Sequence, residues 1–299
     1  LCFVLCFSLI TSGCLEKSPP DMDGDGIQDA EDLDIDGDGW SNSEELNCTS
    51  DPNDAEVTPT DTDGDSQCDP NDLDDDGDSW SDAEEGRCGT DPVDSESVPD
   101  DLDGDMECDE WDDDADGDDL PNDWELERGF DPMNPNDFIS CHGEAKYCLR
   151  TYDDFTFAET HNAYSTIEDQ ILVGVNHYTG LQRQWDDGIR AFMVDSHHSH
   201  YDYTSKEDVR FCHSTGQFFH PCNFGEVDAF EWMRMLNSLM NNSSGDVVTL
   251  LIENYVPASH LSFLFNETGM KDRIYTHTLG DDWPSLGDLV IHGKNLVVF

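Results

Sequence analysis

Basic side chains are scarce in this sequence of 299 residues. Lysine and arginine together number 13 against 70 aspartates and glutamates, so the formal net charge at pH 7 is −57. Such a negative field repels phosphate backbones and anionic lipid headgroups. The charge therefore excludes nucleic-acid binding through a basic patch and electrostatic docking on a membrane surface, and it requires cations that screen it.

Apolar side chains are too few over residues 21–137 to form a hydrophobic core. This segment carries 47 acidic and 2 basic residues, a net charge of −45, whereas residues 138–299 carry 22 acidic and 10 basic residues, a net charge of −12. A segment of the first kind stays disordered unless something other than apolar burial orders it. We therefore predict two domains, residues 21–137 and residues 138–299.

The apolar run at the start of the sequence, LCFVLCFSLITSGC, is too short to span a bilayer as a helix. We interpret residues 1–13 as part of a secretory signal peptide and residues 14–20 as a tether. The run Ile-Thr-Ser-Gly-Cys at residues 10–14 resembles the lipobox of bacterial lipoproteins. This resemblance implies a lipid anchor on Cys14 at the outer membrane or cell surface. A simple secretion signal and a truncated membrane helix are the alternatives.

Residues 21–137 repeat with a period of 40 residues, which marks a repeat array. Each unit contains two acidic loops with carboxylates at alternate positions, and this spacing turns successive oxygens toward one centre. In one such loop, Asp34, Asp36 and Asp38 fill positions 1, 3 and 5 of an EF-hand-type loop, and Glu45 fills position 12. Carboxylate oxygens without histidine or cysteine favour Ca²⁺ over zinc or copper.

The six loops together would hold about six Ca²⁺ ions. The candidate ligands of the second loop in each unit are Asp34, Asp36, Asp38 and Glu45; Asp74, Asp76, Asp78 and Glu85; and Asp114, Asp116, Asp118 and Glu125. Those of the first loop are Asp21, Asp23, Asp25 and Asp32; Asp61, Asp63, Asp65 and Asp72; and Asp101, Asp103, Asp105 and Asp112. A disordered acidic segment is the alternative, and it is the expected state without the metal.

The acidic loops resemble thrombospondin type 3 repeats, which wrap around calcium with little regular secondary structure. In that family disulfides join adjacent repeats, and the resemblance implies the pairs Cys48 with Cys68 and Cys88 with Cys108. Some loops lack the glycine that permits the sharp turn, and they are expected to bind calcium more weakly or to turn differently. The residues that replace this glycine are Ser66, Ser79, Met106 and Asp119.

Beyond residue 137, short β-rich runs alternate with helical ones. The predicted strands are residues 155–159, 191–195, 247–253 and 296–299. An apolar stripe is typical of a helix that packs on a core, and here it consists of Val227, Phe230, Met233, Leu236 and Met240. The alternation predicts a parallel sheet with crossover helices. We expect an incomplete (β/α) TIM-type barrel, with residues 138–299 as its N-terminal part.

Polar residues follow the predicted strands. His161 and Asn162 follow the first strand, Asp195 ends the second, His213 follows the short run 209–211, and Glu253 ends the next strand. In a barrel these strand ends converge on one mouth, where two histidines beside carboxylates suit general acid-base catalysis. Other histidines are expected to be surface or hydrogen-bonded core residues, namely His177, His220, His260, His277 and His292.

Five segments in order resemble the X domain of phosphatidylinositol-specific phospholipases C, particularly the secreted bacterial, fungal and plant X-domain phosphodiesterases. They are THNAYS at 160–165, DGIRAFMVD at 187–195, CHS at 212–214, VVTLLIENY at 247–255 and WPSL at 283–286. The resemblance implies that His161 is the general base on the inositol 2-hydroxyl and that His213 is the general acid. The hydroxyl then attacks phosphorus and expels diacylglycerol as a cyclic phosphate forms.

The resemblance also implies a charge-stabilising group beside the phosphate. Asn162, Asp195 and Glu253 match ligands of the catalytic Ca²⁺ in eukaryotic members, which have a further Glu where this sequence has Met193. We prefer a three-ligand Ca²⁺ site that water or substrate completes, because a cation offsets charge on the phosphate.

Bacterial metal-independent members instead place an arginine where this sequence has His197. His197, with His198 or His200 nearby, supplies the positive charge or a different metal site in this alternative. An exposed loop without a function is an equally good interpretation of these histidines.

The 11 cysteines leave eight when Cys2, Cys6 and Cys14 are set aside for the signal and the anchor, and an even set suits an oxidising compartment. The segment from Cys141 to Cys148 resembles the cysteine loop before the His-Asn motif of the X-domain relatives, and we expect these two cysteines to pair. A further pair, Cys212 with Cys222, would close a short loop beside His213.

We therefore predict a secreted or lipid-anchored phosphoric diester hydrolase carried on a calcium-binding spacer. The expected cofactors are several Ca²⁺ ions in the repeats and one at the catalytic site. The expected partners are a phospholipid or other phosphodiester substrate and, through the lipid anchor, a membrane, with no nucleic acid. A non-catalytic, calcium-dependent adhesion or binding protein is the alternative, since Met193 and the missing arginine leave neither charge-stabilising scheme complete.

Overall fold

The computed structural model describes residues 20–171, 173–199, 205–213 and 220–299. The chain folds into two compact units, which we call the first unit (Leu1–Asp112) and the second unit (Asp113–Phe299). The predicted signal, the tether up to residue 19 and the lipidation of Cys14 lie outside the described residues. The helices of the described part are all too short or too polar to cross a bilayer.

From residue 20 onward, the first unit consists mainly of irregular acidic loops, with two short α-helices, α1 (Asn42–Asn47) and α2 (Asp82–Cys88). Each helix begins at a serine whose side chain accepts the backbone N–H of the glutamate three residues on, while that glutamate accepts the N–H of the serine. This reciprocal capping satisfies two N–H groups at each helix start. Disulfides join Cys48 to Cys68 and Cys88 to Cys108, the pairs that the thrombospondin type 3 resemblance implies.

The acidic loops keep one turn geometry whether or not glycine is present. Asp34 accepts backbone N–H groups from Gly37 and Gly39 at 2.9 and 3.1 Å, and Asp74 accepts the equivalent pair at 3.0 and 3.1 Å. Gly39 has a φ of 104°, and Ser79, which replaces it in the next repeat, has a φ of 89°. Ser66, Met106 and Asp119 are also left-handed. The expectation that these loops turn differently is therefore wrong, and each such residue costs about 1 kcal/mol.

The second unit contains a mixed six-stranded sheet within its described residues. The strands are β1 (Glu159–Thr160), β2 (Ala191–His198), β3 (Val209–Phe211), β4 (Val227–Asp228), β5 (Val248–Asn254) and β6 (Leu296–Val298). Their order is β4-β3-β2-β5-β6, and β1 pairs with the start of β2. β1, β2, β5 and β6 are parallel, so their carboxyl ends share one edge. β3 is antiparallel to both of its neighbours, β2 and β4.

Helices cover the sheet and close two hydrophobic clusters. They are α3 (Asn122–Arg128), α4 (Leu181–Asp186), α5 (Ala229–Asn241), α6 (Ala258–Glu267) and α7 (Leu286–Ile291). In one cluster, Met233 and Leu236 of α5 pack with Phe192 of β2 and Leu250 of β5. The other cluster contains Val247 and Val297 beside residues of α3 and α7.

Three details of the sequence prediction are wrong. The strand predicted at residues 155–159 is reduced to Glu159–Thr160, because Phe155 and Phe157 pack against the ring of His142 instead. The sheet is not wholly parallel, since β3 and β4 form an antiparallel pair. Val227 lies in β4 rather than in the helix, and α5 begins after Asp228, which caps it.

Candidate functional site

Side chains from three parallel strands meet at the carboxyl edge of the sheet. His161 and Asn162 directly follow β1, Asp195 lies in β2, and Glu253 in β5 is paired with Asp195 across the sheet. His213 comes from the antiparallel β3, and the bond from the Cys212 N–H to the Asp195 carbonyl, at 3.2 Å, holds it beside β2. The sheet thus brings the predicted residues to one edge.

His213 and Asp195 form a hydrogen-bonded pair. The distance from His213 Nδ1 to Asp195 Oδ2 is 2.7 Å, and the aspartate is 2% exposed. Burial raises the pKa of Asp195, and the hydrogen bond from His213 opposes that rise. Because the carboxylate accepts the proton on Nδ1, the pair leaves Nε2 of His213 to exchange a proton with a substrate.

The exposed ring of His161 is held by a segment that folds back on it. The amide of Asn176 lies 3.1 Å from His161 Nδ1, and His177 Nε2 donates to the His161 carbonyl at 2.8 Å. The Ser165 carbonyl accepts the N–H groups of both residues, at 2.9 and 3.1 Å. Asn176 can turn its amide oxygen toward Nδ1 and accept the Nδ1–H, because amide oxygen and nitrogen exchange places by a flip. In that tautomer Nε2 of His161 carries no proton and is available as a base. The contacts also give His177 a role that the sequence prediction did not assign.

Buried oxygen atoms without hydrogen-bond partners lie among the predicted ligands. Oδ1 of Asn162 and Oδ1 of Asp195 are both of this kind. Asn162 also has a left-handed backbone, with φ 52°. Glu253 is exposed and accepts a hydrogen bond from the Tyr255 hydroxyl. Buried oxygens seldom lack a partner, so the donors fit a hard cation, whereas Met193 adds only a thioether.

His197 stacks on Tyr255, with ring centroids 4.3 Å apart. Burial, and secondarily His220, lowers the pKa of His197 to about 4. The imidazole is therefore neutral at pH 7, which disfavours the positive charge that the alternative assigned to it. His198 points elsewhere, with Nδ1 3.0 Å from the Asp208 carbonyl and Nε2 3.3 Å from His260. His200 lies outside the described residues.

Gln184 positions the segment that carries His161, and the sequence prediction missed it. Its amide accepts from the Thr160 hydroxyl and donates to the Ala163 carbonyl, both at 2.8 Å, so it clamps the residues on either side of His161 and Asn162. Gln184 is 4% exposed. The Tyr164 hydroxyl is likewise buried, and burial with nearby Asp195 raises its pKa. A polar residue at the buried face of α4 is the one sequence signal for Gln184.

The acidic loops bring their carboxylates together. Oxygens of each of the following triads lie within 4.8 Å of one another: Asp21, Asp23 and Asp25; Asp34, Asp36 and Asp38; Asp61, Asp63 and Asp65; Asp74, Asp76 and Asp78; and Asp101, Asp103 and Asp105. Asp32 and Asp72 instead accept the N–H groups of Asp34 and Asp74. The predicted position-12 ligands of the second loops, Glu45, Glu85 and Glu125, are fully buried.

Those three buried glutamates have no hydrogen-bond partner for either carboxylate oxygen. Burial, together with neighbouring aspartates, raises the pKa of Glu45 and Glu85, and it raises the pKa of Glu125 to about 7. A buried, unpartnered carboxylate beside like charges is costly. The donor set and its burial therefore fit a divalent cation with oxygen ligands.

The two remaining predicted disulfides are also present, Cys141 to Cys148 and Cys212 to Cys222. The second lies directly beside His213, since Cys212 precedes it in the chain. This bond therefore ties the residue before His213 to the described segment that begins at residue 220.

Comparison with known proteins identifies the second unit. An uncharacterized secreted protein of Arthroderma benhamiae is 26% identical to this chain, and the match covers 55% of this chain and 36% of the relative. A PI-PLC X domain-containing protein of Arabidopsis thaliana is 29% identical over 50% of this chain and 36% of its own length. PI-PLC X domain-containing protein 1 of A. benhamiae is 28% identical over 53% of this chain and 50% of its own length. The chain spans between about a third and half the length of these relatives.

The family model of the phosphatidylinositol phospholipase C X domain, PI-PLC X 1, matches residues 147–299, just over half of the chain. This range includes the strands β1, β2, β5 and β6 and the residues at their carboxyl ends. The chain therefore belongs to the PI-PLC X family.

Proposed function

We propose that the second unit is a phospholipase C-like phosphodiesterase that cleaves its substrate by attack of an internal hydroxyl on phosphorus. The substrate class is phosphatidylinositol or a glycosylated inositol lipid. The observation that carries this proposal is the His213–Asp195 pair, 2.7 Å long, at the same sheet edge as His161. Family membership supports the reaction class, and two of the three relatives are named as PI-PLC X domain-containing proteins.

Each histidine has one role in this reaction. The free ring nitrogen of His161 takes the proton of the attacking hydroxyl, whose oxygen forms a bond to phosphorus. The bond from phosphorus to the alcohol oxygen breaks, and His213 donates a proton to that oxygen. Asp195 accepts from Nδ1 of His213, keeps the ring in place and stabilises its protonated form before the transfer.

Asn162, Asp195 and Glu253 would hold a Ca²⁺ ion beside this pair. When bound, the ion would offset negative charge on the phosphate. The unpartnered buried oxygens of Asn162 and Asp195 support this assignment.

The direct test is an assay of the full-length protein on phosphatidylinositol vesicles and on a soluble glycerophosphodiester, each with Ca²⁺ and with chelator. We expect turnover of the inositol lipid that needs Ca²⁺. Turnover that survives chelation would refute the catalytic metal while leaving the histidine pair intact. A folded protein that turns over neither substrate would favour the non-catalytic adhesion or binding module.

The repeats complete the proposal as a calcium-binding spacer in an extracellular protein. The buried, unpartnered Glu45 and Glu85 support calcium binding. Four disulfides and a secreted relative support an extracellular location. A lipid anchor on Cys14 and the absence of a nucleic-acid partner remain proposals from the sequence.

The substitutions Ser79→Gly and Gly39→Ser should change calcium affinity in opposite directions. These residues hold equivalent left-handed positions, with φ 89° and 104°, and a Cβ at Gly39 meets no atom within 4 Å. Ser79→Gly should therefore tighten calcium binding a few-fold, and Gly39→Ser should weaken it by a similar factor, through backbone strain of about 1 kcal/mol. Isothermal calorimetry measures both, and equal affinities in all three proteins would contradict the prediction.

Removal of the contacts around His161 should slow turnover without weakening substrate binding. Asn176→Ala frees the ring at Nδ1, and His177→Ala removes the donor to the His161 carbonyl. We expect kcat to fall about tenfold with KM nearly unchanged, because the ring is misplaced rather than the substrate.

His177→Gln is the matched control, since a glutamine amide can replace the lost N–H donor, and it should recover most of the activity. A fall in activity that merely follows a lower unfolding temperature, with no recovery in His177→Gln, would show a structural role only.

A further inference from the structure

The third repeat is divided between the two compact units. Its first loop, which begins at Asp101, lies in the first unit, whereas the chain from Asp113 onward belongs to the second unit. The second loop, Asp114–Glu125, and the helix α3 therefore fold with the catalytic sheet. The domain boundary predicted at residue 137 stays a prediction, but the compact unit itself begins before this loop.

Helix α3 forms a wall of the second hydrophobic cluster. Leu120 is fully buried, and Trp124 is 9% exposed, among residues of β6 and α7 such as Val297 and Leu289. The packing is close, since a Cβ on Gly287 of α7 would lie 2.7 Å from the Trp124 ring. Removal of α3 would expose this face of the cluster to water.

An ion pair fixes the other end of α3 to the same helix α7. Arg128 donates to both carboxylate oxygens of Asp288, at 3.0 and 3.4 Å, and its guanidinium lies 4.3 Å from the ring of Trp124. The Arg128 side chain is 19% exposed and that of Asp288 is 30% exposed. Arg128 also lowers the pKa of Asp288, which is consistent with a maintained contact.

The sequence changes in the third repeat where this packing occurs. At the helix start, Ser41 and Ser81 of the earlier repeats are replaced by Pro121, and α3 has no side-chain cap. The capping glutamates, Glu44 and Glu84, are replaced by Trp124. The disulfide cysteines, Cys48 and Cys88, are replaced by Arg128. The third repeat has thus exchanged its own capping and crosslinking groups for residues that contact α7.

The ligand set of the loop is nevertheless intact. Glu125 is fully buried, and neither of its carboxylate oxygens has a hydrogen-bond partner. Oδ2 of Asp118 is buried and also without a partner. Asp114 and Asp116 lie close enough to both to add like charge. A divalent cation would neutralise this cluster, whereas without one the repulsion acts on Glu125, which is itself a residue of α3.

We propose that the loop Asp114–Glu125 is a structural calcium site of the second unit, so that calcium bound there stabilises the catalytic sheet itself. The inference rests on the calcium binding proposed above and specifies what one of those sites does. A ligand that binds only the folded state stabilises it in proportion to its concentration over its dissociation constant. Calcium therefore controls the phosphodiesterase without contact with the substrate.

The test compares Glu125→Gln with the matched variant Glu85→Gln in the full-length protein. Hydrogen exchange of β5 and α7, and the unfolding temperature of the second unit, are measured with Ca²⁺ and with chelator. Glu125→Gln should lower that temperature by roughly 5 °C or more in Ca²⁺ and raise exchange in β5 and α7. Glu85→Gln should loosen residues 74–88 and leave the second unit unchanged.

Equal effects of the two variants on the second unit would overturn the inference. So would exchange that rises in α3 alone while β5 and α7 stay protected. If Glu125→Gln does not fold, Arg128→Ala provides the second test, because it keeps every carboxylate. It should leave the calcium stoichiometry unchanged and reduce the stabilisation of the second unit by Ca²⁺, and full stabilisation would count against the coupling.

These readouts separate the inference from the proposed catalytic function. A second unit that Ca²⁺ stabilises through Glu125, in a protein with no phosphodiesterase activity, would support the inference and refute the function. An active protein whose second unit is indifferent to Glu125→Gln would do the reverse. Repeats that bind no Ca²⁺ by calorimetry would overturn the calcium sites of the repeats and this inference with them, but not the proposed catalytic function.

Discussion

Replacement of His213 by alanine should lower phosphatidylinositol turnover at least ~10³-fold, and His161→Ala should do the same. The His213→Ala variant lacks the group that protonates the leaving oxygen. Its Asp195, which is 2% exposed in the structure, has also lost its hydrogen-bond partner. The His161→Ala variant lacks the base that takes the proton from the attacking hydroxyl. Because the two groups serve one reaction step, the double variant should be little worse than either single variant. The measurement is initial rate on vesicles under saturating Ca²⁺.

His292→Ala is the matched control for these two variants. His292 is exposed after the last residue of α7, where its ring contacts the Asp288 carbonyl. Its loss should leave turnover within about twofold. Unfolding temperatures of all the variants should be compared, since a mere loss of fold would also lower the rate. Retained turnover by both His161→Ala and His213→Ala in folded protein would refute the histidine pair.

Chelation of calcium should unfold the first unit. Residues 21–112 carry 37 acidic and 1 basic residue, a net charge of −36, and the carboxylate oxygens of Glu45 and Glu85 are buried without a hydrogen-bond partner. Without cations, repulsion and buried charge oppose a fold that has few apolar residues to hold it. We expect amides of residues 20–112 to exchange at nearly the rate of an unstructured chain, apart from those restrained by the disulfides. Readdition of Ca²⁺ should restore protection.

Salt provides the control for this prediction. Sodium chloride at ~1 M reduces the Debye length to about 3 Å and so screens exposed charges. If coordination holds the loops, salt with chelator should not restore protection, because it supplies no ligand bonds to Glu45 or Glu85. Recovery of protection in salt alone would show that screening suffices, and it would contradict the calcium sites.

The central strands of the second unit are predictable because they are buried. β2 and β5 contain the mainly apolar runs 191–194 and 248–252, as is typical of parallel strands covered on both faces. Asp195 and Glu253 follow these runs, although β2 itself continues to His198 and β5 to Asn254. The aromatic run at residues 155–159 wrongly predicts a strand, because it is apolar as the buried strands are. Phe155 and Phe157 are apolar and closely spaced, but they pack against His142, and no local pattern distinguishes the two outcomes.

The candidate site is predictable where its residues follow strands and unpredictable where they act at a distance. His161 and His213 follow strands, and Asp195 lies within β2 rather than at its end as predicted, so the sheet topology places the three together. Gln184 and Asn176 reach His161 or its neighbours from other segments, and only the folded chain shows those contacts. The role of α3 is likewise visible only in the folded chain, because a period of 40 residues hides the replacement of a capping glutamate by Trp124 and of a disulfide cysteine by Arg128.

The most direct test of the account is phosphorus NMR of phosphatidylinositol vesicles incubated with the full-length protein and Ca²⁺. Attack by an internal hydroxyl, with His161 as base and His213 as acid, predicts a five-membered cyclic inositol phosphate as the first phosphorus product, released together with diacylglycerol. A first product that is acyclic inositol phosphate or phosphatidic acid, or no product from a folded protein, would contradict it.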